Sequence, residues 1–168
     1  MKYLVINASP HENGGTSKFV HAFTEAAKKV GEVKVLNLHD SPPAYSRGDN
    51  APSMIETMYQ REVLACDALF IATPTYWFNT PSILKAFVEE IDGIESMLWQ
   101  RARALGIAVY APQGGELGVA SALTFPLNHM NFVLVDVGYI FHRGIPIDDW
   151  AWEDLALMPE RMRRVIGR

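Results

Sequence analysis

Apolar residues follow two alternating rhythms along the chain. Short, nearly unbroken apolar runs recur at residues 3–6, 33–38, 68–72, 105–110 and 132–137. Each has the length of a strand, and a strand that is apolar at almost every position needs cover on both faces. Between these runs the apolar positions return every three or four residues, as on one face of a helix. Residues 16–30 place Phe19, Val20, Phe23, Ala26, Ala27 and Val30 on such a face, and residues 53–66 do so with Met54, Ile55, Met58 and Val63. Residues 81–91 open with Pro81, suited to a first helical turn, and then align Ile83, Leu84, Phe87, Val88 and Ile91. A fourth helix is expected within residues 118–131, where Pro126 interrupts its simplest version. A final helix is expected from Asp148 on, carrying Trp150, Trp152 and a solvated basic face at Arg161, Arg163 and Arg164. Strands alternating with helices predict a three-layer α/β domain with a parallel sheet of about five strands.

Composition narrows the class. The 168 residues are 49% hydrophobic and are expected to form one domain, 1–168, with a substantial core. No apolar run approaches the roughly 18–20 residues that span a bilayer, and the opening run is too short for the core of a signal peptide. A lone cysteine, Cys66, excludes an internal disulfide framework and a cluster held by cysteines of this chain. These features favour the cytoplasm. Fifteen basic against nineteen acidic residues leave a net charge of −4 without a basic block, so nucleic acid is not an expected partner. The five histidines show no ligand spacing, and no metal is expected.

Chemistry concentrates where strands one and three end. After the first strand the chain reads INASPHENGGTSKF, residues 6–19. In a parallel sheet this loop faces the ligand crevice, and a helix starting there presents free N–H groups and a partial positive charge to an anion. Ser9, Asn13, Gly14, Gly15, Thr16 and Ser17 suit a phosphate; the competing account is that Thr16 or Ser17 only caps the helix. The dinucleotide fingerprint and the GxxxxGK[ST] loop are both absent, as is a GxSxG elbow. Cys66 lacks the arginine six residues later that a small phosphatase needs, and Asn7 and Thr73 stand where a phosphorylated aspartate would. After the third strand come three successive aromatics, Tyr76, Trp77 and Phe78, which cannot all enter one core. They can frame a flat ring, whereas the plainer account has one or two of them sealing the sheet edge. A phosphate loop after strand one and an aromatic loop after strand three describe FMN at the crossing of a sheet of order 2-1-3-4-5.

At these residues the sequence resembles the NAD(P)H-dependent FMN reductases of flavodoxin-like fold, with their NAD(P)H:quinone oxidoreductase relatives. The likeness rests on the first loop, Ala8-Ser9-Pro10-His11-Glu12-Asn13-Gly14-Gly15-Thr16-Ser17. It rests also on the second, from Pro74 through Tyr76-Trp77 and Pro81 to Leu84-Lys85-Ala86-Phe87, and on Gln113-Gly114-Gly115 after strand four. It spans roughly residues 1–140, the second loop being its most specific part.

The resemblance implies a flavodoxin-like sandwich in which Ser9, His11, Asn13, Gly15, Thr16 and Ser17 hold the FMN phosphate. Pro74, Thr75, Tyr76, Trp77 and Phe78 would line the ring and ribityl chain, and Gln113, Gly114 and Gly115 would meet the pyrimidine edge. It further implies NADPH or NADH as co-substrate and a small electron acceptor such as a quinone, flavin, azo or nitro compound. No catalytic triad is expected, because the cofactor carries the chemistry, with Tyr76 or His11 as possible helpers. A homo-oligomer, dimer or tetramer, is implied too, with Trp150 and Trp152 as candidate contacts. His11 stands where the family's first loop has arginine, and Pro42-Pro43-Ala44-Tyr45 stand where iron–sulfur relatives carry cysteines. The rival readings are a flavodoxin-type electron carrier and a flavin-free interaction protein.

Overall fold

The computed structural model describes residues 1–45, 56–141 and 148–167. Five parallel strands, β1 (Lys2–Asn7), β2 (Glu32–Asn37), β3 (Ala68–Pro74), β4 (Arg103–Ala111) and β5 (Phe132–Phe141), form one sheet in the order β2-β1-β3-β4-β5. Strand β1 pairs with β2 from Lys2↔Glu32 to Asn7↔Asn37 and with β3 from Tyr3↔Ala68 to Asn7↔Ala72. Chain direction across the sheet therefore reverses between β1 and β3. The loops leaving their carboxyl ends diverge there and open a crevice.

Alternation along the strands sends successive side chains to opposite faces. Tyr3, Val5, Phe70, Ala104 and Ala108 meet α1 (Thr16–Ala27) and α6 (Asp149–Val165) through Phe19, Phe23, Leu155, Met158 and Met162. Phe23 stacks on Phe70 with ring centroids 3.8 Å apart and planes within 4°. On the other face, Leu4, Ile6, Leu69, Ile71, Leu105 and Ile107 pack beneath α2 (Met58–Ala65), α3 (Ser82–Asp92) and α5 (Glu116–His129). A short α4 (Glu95–Leu98) links α3 to β4.

Four local expectations change. Helix α2 begins at Met58 rather than near residue 53, because Thr57 closes a reciprocal cap with Gln60. Its buried residues are Tyr59, Gln60 and Val63, whereas Met58 is exposed; Met54 and Ile55 lie outside the described residues. Pro126 does not break α5: the residue whose carbonyl its missing N–H would have bonded, Ala122, lies on the exposed face of the helix. Strand β2, at the sheet edge, leaves Lys34 and Val35 exposed, so it is not covered on both faces. The basic end of α6 is not merely solvated. Arg161 bridges Asp136 of β5 and Asp154, and Arg163 grips Glu160 through two bonds of 2.9 and 2.8 Å.

Candidate functional site

The loop after β1 is shaped from inside. Ala8 N–H reaches Ala72 O of β3 at 2.8 Å, and Ser9 N–H donates to Asn7 Oδ1 at 3.2 Å. Ser9 is buried; its hydroxyl donates to His11 O at 2.9 Å and accepts from His11 N–H at 3.1 Å. Asn7 Nδ2 donates to Asn37 Oδ1 at 3.2 Å, tying this loop to the end of β2. The side chains of His11 and Asn13 stand at the exposed outer turn.

Helix α1 then starts without a cap. Gly15 occupies the capping position in helical geometry and no side chain bonds the first-turn N–H groups. Ser17 Oγ instead donates to Glu12 O at 3.1 Å. Thr16 is 1% exposed, and its Oγ1 is buried with no hydrogen-bond partner. A buried hydroxyl without a partner costs free energy. The capping account of Thr16 and Ser17 therefore fails, and what remains is a helix N-terminus with an unspent hydroxyl beside it. Gly14 makes the approach close: a Cβ there would sit 2.8 Å from Ser9 Oγ and 3.6 Å from Thr16 Oγ1.

The loop after β3 is a tight reverse turn. Tyr76 and Asn79 exchange N–H···O bonds of 2.8 and 3.0 Å around Trp77 (φ 48°) and Phe78 (φ 62°). Two consecutive positive φ values match the hairpin turn that asparagine and glycine favour. Holding two bulky aromatics there stores strain of about 1–3 kcal/mol per residue. None of the three rings seals the core: Tyr76 is 40% exposed, Trp77 94% and Phe78 60%.

The loop after β4 supports this turn. Gly114 and Gly115 have φ of 96° and 95°, and a Cβ on Gly115 would lie 2.4 Å from Phe78 Cα. A Cβ on Gly118, in the first turn of α5, would lie 2.6 Å from Phe78 O. Glycines 115 and 118 thus let the aromatic turn rest directly on the start of α5, a purpose the sequence reading did not assign them. Thr75 N–H donates to Tyr110 O at 2.9 Å, locking the β3 and β4 exits together. Pro74 and Thr75 are half-buried below the turn, and Gln113 is exposed at the β4 exit.

Two further residues belong to the site. The Tyr110 ring fills the space where a Gly15 side chain would be, 2.7–2.9 Å from its Cβ position, and so props the start of α1. Its place at the crevice end of the fourth apolar run was the available signal. Glu116, first residue of α5, has a buried Oε2 without a partner, close to Gly114. Among the described residues no group of three or more histidine, cysteine or acidic side chains has the geometry to hold a metal ion, and no helix is long and apolar enough to cross a membrane. Trp152 packs on Phe19 with centroids 5.5 Å apart, while Trp150 is exposed and bonds Asp148.

This crevice, at the point where the sheet order reverses, defines a doubly wound α/β fold, the class in which ligands are generally bound beyond the carboxyl ends of the strands at such a point. A family model described as flavodoxin-like fold matches residues 1–93, more than half of the chain, and the chain belongs to that family. Among solved structures it is similar to an apo NADH:FMN oxidoreductase (EMOB), with 16% identity and a TM-score of 0.72 over 99% of this chain and 90% of that one. It is also similar to the azoreductase AzrA (15%, TM-score 0.67, 99% of each chain) and to a flavodoxin from the domain Archaea (13%, TM-score 0.70, 100% of each). At these identities the likeness speaks for the fold.

Proposed function

We propose that this chain is an FMN-dependent NAD(P)H oxidoreductase that passes electrons from NADH or NADPH, through FMN, to a quinone, flavin, azo or similar small acceptor. The observation that carries the proposal is the buried, partnerless hydroxyl of Thr16 at an uncapped helix start, beside the exposed aromatic turn. A phosphate dianion can accept from the hydroxyl and from first-turn N–H groups other than that of Ser17, which donates to Gly14 O at 3.1 Å. The exposed turn suits a flat ring.

In this reading Thr16, Ser17 and the Gly14–Gly15 backbone hold the phosphate, Ser9 keeps the loop in shape from within, and His11 and Asn13 close its outer side. Pro74, Thr75, Tyr76, Trp77 and Phe78 present the ring-binding edge, with Gln113, Gly114 and Gly115 opposite. Bound FMN supplies hydride acceptance from the nicotinamide and two-electron transfer to the acceptor. The chain's own part is to fix the ring against a rigid, strained turn and to leave one side open for both reactants in succession. Tyr76, 40% exposed in the turn, and His11, exposed at the first loop, are the candidate helpers beside the reacting groups. The NADH:FMN oxidoreductase and azoreductase among the fold relatives support a reductase.

A second reading, an electron carrier, is favoured by the archaeal flavodoxin that matches over its full length. We place the protein in the cytoplasm as a dimer or tetramer. Leu117, in the first turn of α5, and Phe125, about two turns further along it, are 69% and 76% exposed and suit a contact between copies. The reductase is tested by loading the protein with FMN and following steady-state oxidation of NADH and NADPH against a panel of acceptors. Turnover with at least one acceptor supports it; FMN uptake without turnover favours the carrier.

A further inference from the structure

One residue of β4 touches both crevice loops. Tyr110 O accepts Thr75 N–H at 2.9 Å, at the foot of the aromatic turn. The far end of the Tyr110 ring, Cζ, Cε1 and Cε2, lies 2.7–2.9 Å from the point where a Cβ on Gly15 would stand. The ring is backed by fully buried Phe19, with centroids 6.2 Å apart. Gly15 has no conformational need to be glycine. Its φ of −57° and ψ of −30° are right-handed helical, a geometry that L residues readily adopt. The three atoms nearest its missing side chain all belong to Tyr110, so it is this ring that bars one.

We propose that Tyr110 makes the site prefer a phosphorylated flavin to an unphosphorylated one, by holding Gly15 and with it the first turn of α1 in the arrangement that receives the phosphate. The inference rests on the FMN reading and adds a residue that sets its specificity. Two successive glycines form a loose approach to a helix, because glycine has the most backbone freedom to lose on ordering. No side chain caps the first turn of α1, and a ring carried on a buried strand supplies a rigid stop. A seat already ordered when the anion arrives loses no binding free energy to its own ordering. The ring also lays apolar surface against one side of Gly15, where hydrogen bonds to an anion are stronger than in water. Tyr110 acts through Gly15 and is a positioning residue.

The experiment is fluorescence titration of FMN and riboflavin, which differ only in the phosphate, into the FMN-free protein and its variants, each checked by a thermal melt. The parent is expected to bind FMN at least about a hundredfold tighter, the worth of two charge-assisted hydrogen bonds. Tyr110→Phe keeps every ring carbon beside Gly15 and keeps that ratio. Tyr110→Leu keeps apolar surface beside Phe19 but lacks the far end of the ring. Its ratio is expected to fall roughly tenfold, about one such bond, while riboflavin affinity holds, because the bond to Thr75 is made by backbone. Gly15→Ala drives a methyl group into the ring and lowers the ratio as far; it keeps the test open should Tyr110→Leu fail to melt cooperatively. In Gly15→Ala/Tyr110→Leu the methyl enters the vacated space and the ratio recovers, the non-additivity of residues in contact. An equal loss of FMN and riboflavin in Tyr110→Leu overturns the proposal and leaves the residue a structural part of β4. So does an unchanged ratio in Gly15→Ala, a ratio lost in Tyr110→Phe, or a double variant no better than Gly15→Ala. A parent that binds both flavins equally overturns it while the flavin reading stands. A parent that takes up neither overturns the flavin reading and this inference with it.

Discussion

Thr16 sits under two opposed demands. Its hydroxyl is buried without a partner, which weakens the protein alone, yet in the proposed function the same hydroxyl donates to a phosphate oxygen of FMN. Thr16→Val keeps the shape and removes the polar atom. The apoprotein variant is expected to melt no lower than the parent, since a desolvated hydroxyl has been removed at little cost in volume. FMN affinity is expected to fall by about 1.5–3 kcal/mol, the worth of a charge-assisted hydrogen bond. Calorimetric melting and a flavin fluorescence titration give the two numbers, and a large loss of stability with unchanged FMN affinity would return Thr16 to a purely structural role. At this scale the sequence is eloquent about residue types and silent about partners. It pointed to Thr16, but that Ser9 would spend its hydroxyl on His11 depends on how the loop folds back on itself. Buried Arg103 was equally illegible: its guanidinium donates to the nearby Leu98 O at 3.2 Å and Arg101 O at 3.0 Å, and to Leu64 O at 3.1 Å near the end of α2, which only the tertiary fold brings close.

Among elements, the decisive contact joins the β3–α3 turn to the start of α5. Trp77 and Phe78 hold positive φ because the Tyr76–Asn79 bonds and the glycines at 115 and 118 leave them no better place. Gly115→Ala adds a methyl group 2.4 Å from Phe78 Cα at φ 95°, so the turn must move. A loss of at least about 2 kcal/mol in stability is expected, together with weaker FMN binding, as read by denaturant melts and titration. Unchanged values on both counts would mean that the turn and α5 do not support each other. Helices α1 and α3 were legible because burial on one face imposes a period, and the central strands because burial on both faces leaves an unbroken apolar run. The start of α2 was not, since the side-chain cap at Thr57 overrode the apolar period running back to Met54. Pro126 misled for a related reason: one lost hydrogen bond on an exposed side is tolerated.

For the whole molecule, burial sets an alkaline limit. It pushes the Cys66 thiol from 9.0 up to about 12, against a lowering by Arg103 and Arg101. It also pushes the Tyr3 and Tyr59 phenols from 10.0 to about 12, with Glu160 adding to the first and Glu90 to the second. These groups stay protonated in the fold while the unfolded chain loses its protons, so their contribution is complete below pH 9 and is lost as pH rises toward 12. The melting temperature is expected to hold level up to about pH 9 and then fall, and Cys66→Ala is expected to move the onset toward pH 10. A level profile through pH 11 would contradict it. The sheet order was legible at this scale because the loops after strands one and three each carry residue types suited to one proposed ligand, FMN, which implies adjacent strands at a crossing. The seat of the aromatic turn on the start of α5 was not, because Phe78 and Gly115 belong to separate segments.

The central claim is that this crevice carries out flavin reduction by a nicotinamide. It is tested most directly by adding NADH or NADPH, without oxygen, to the FMN-loaded protein and recording the flavin's visible absorbance. The account predicts rapid loss of the oxidised band with at least one nucleotide and its return when a quinone is added. A band that persists with both nucleotides on fully loaded protein would contradict it.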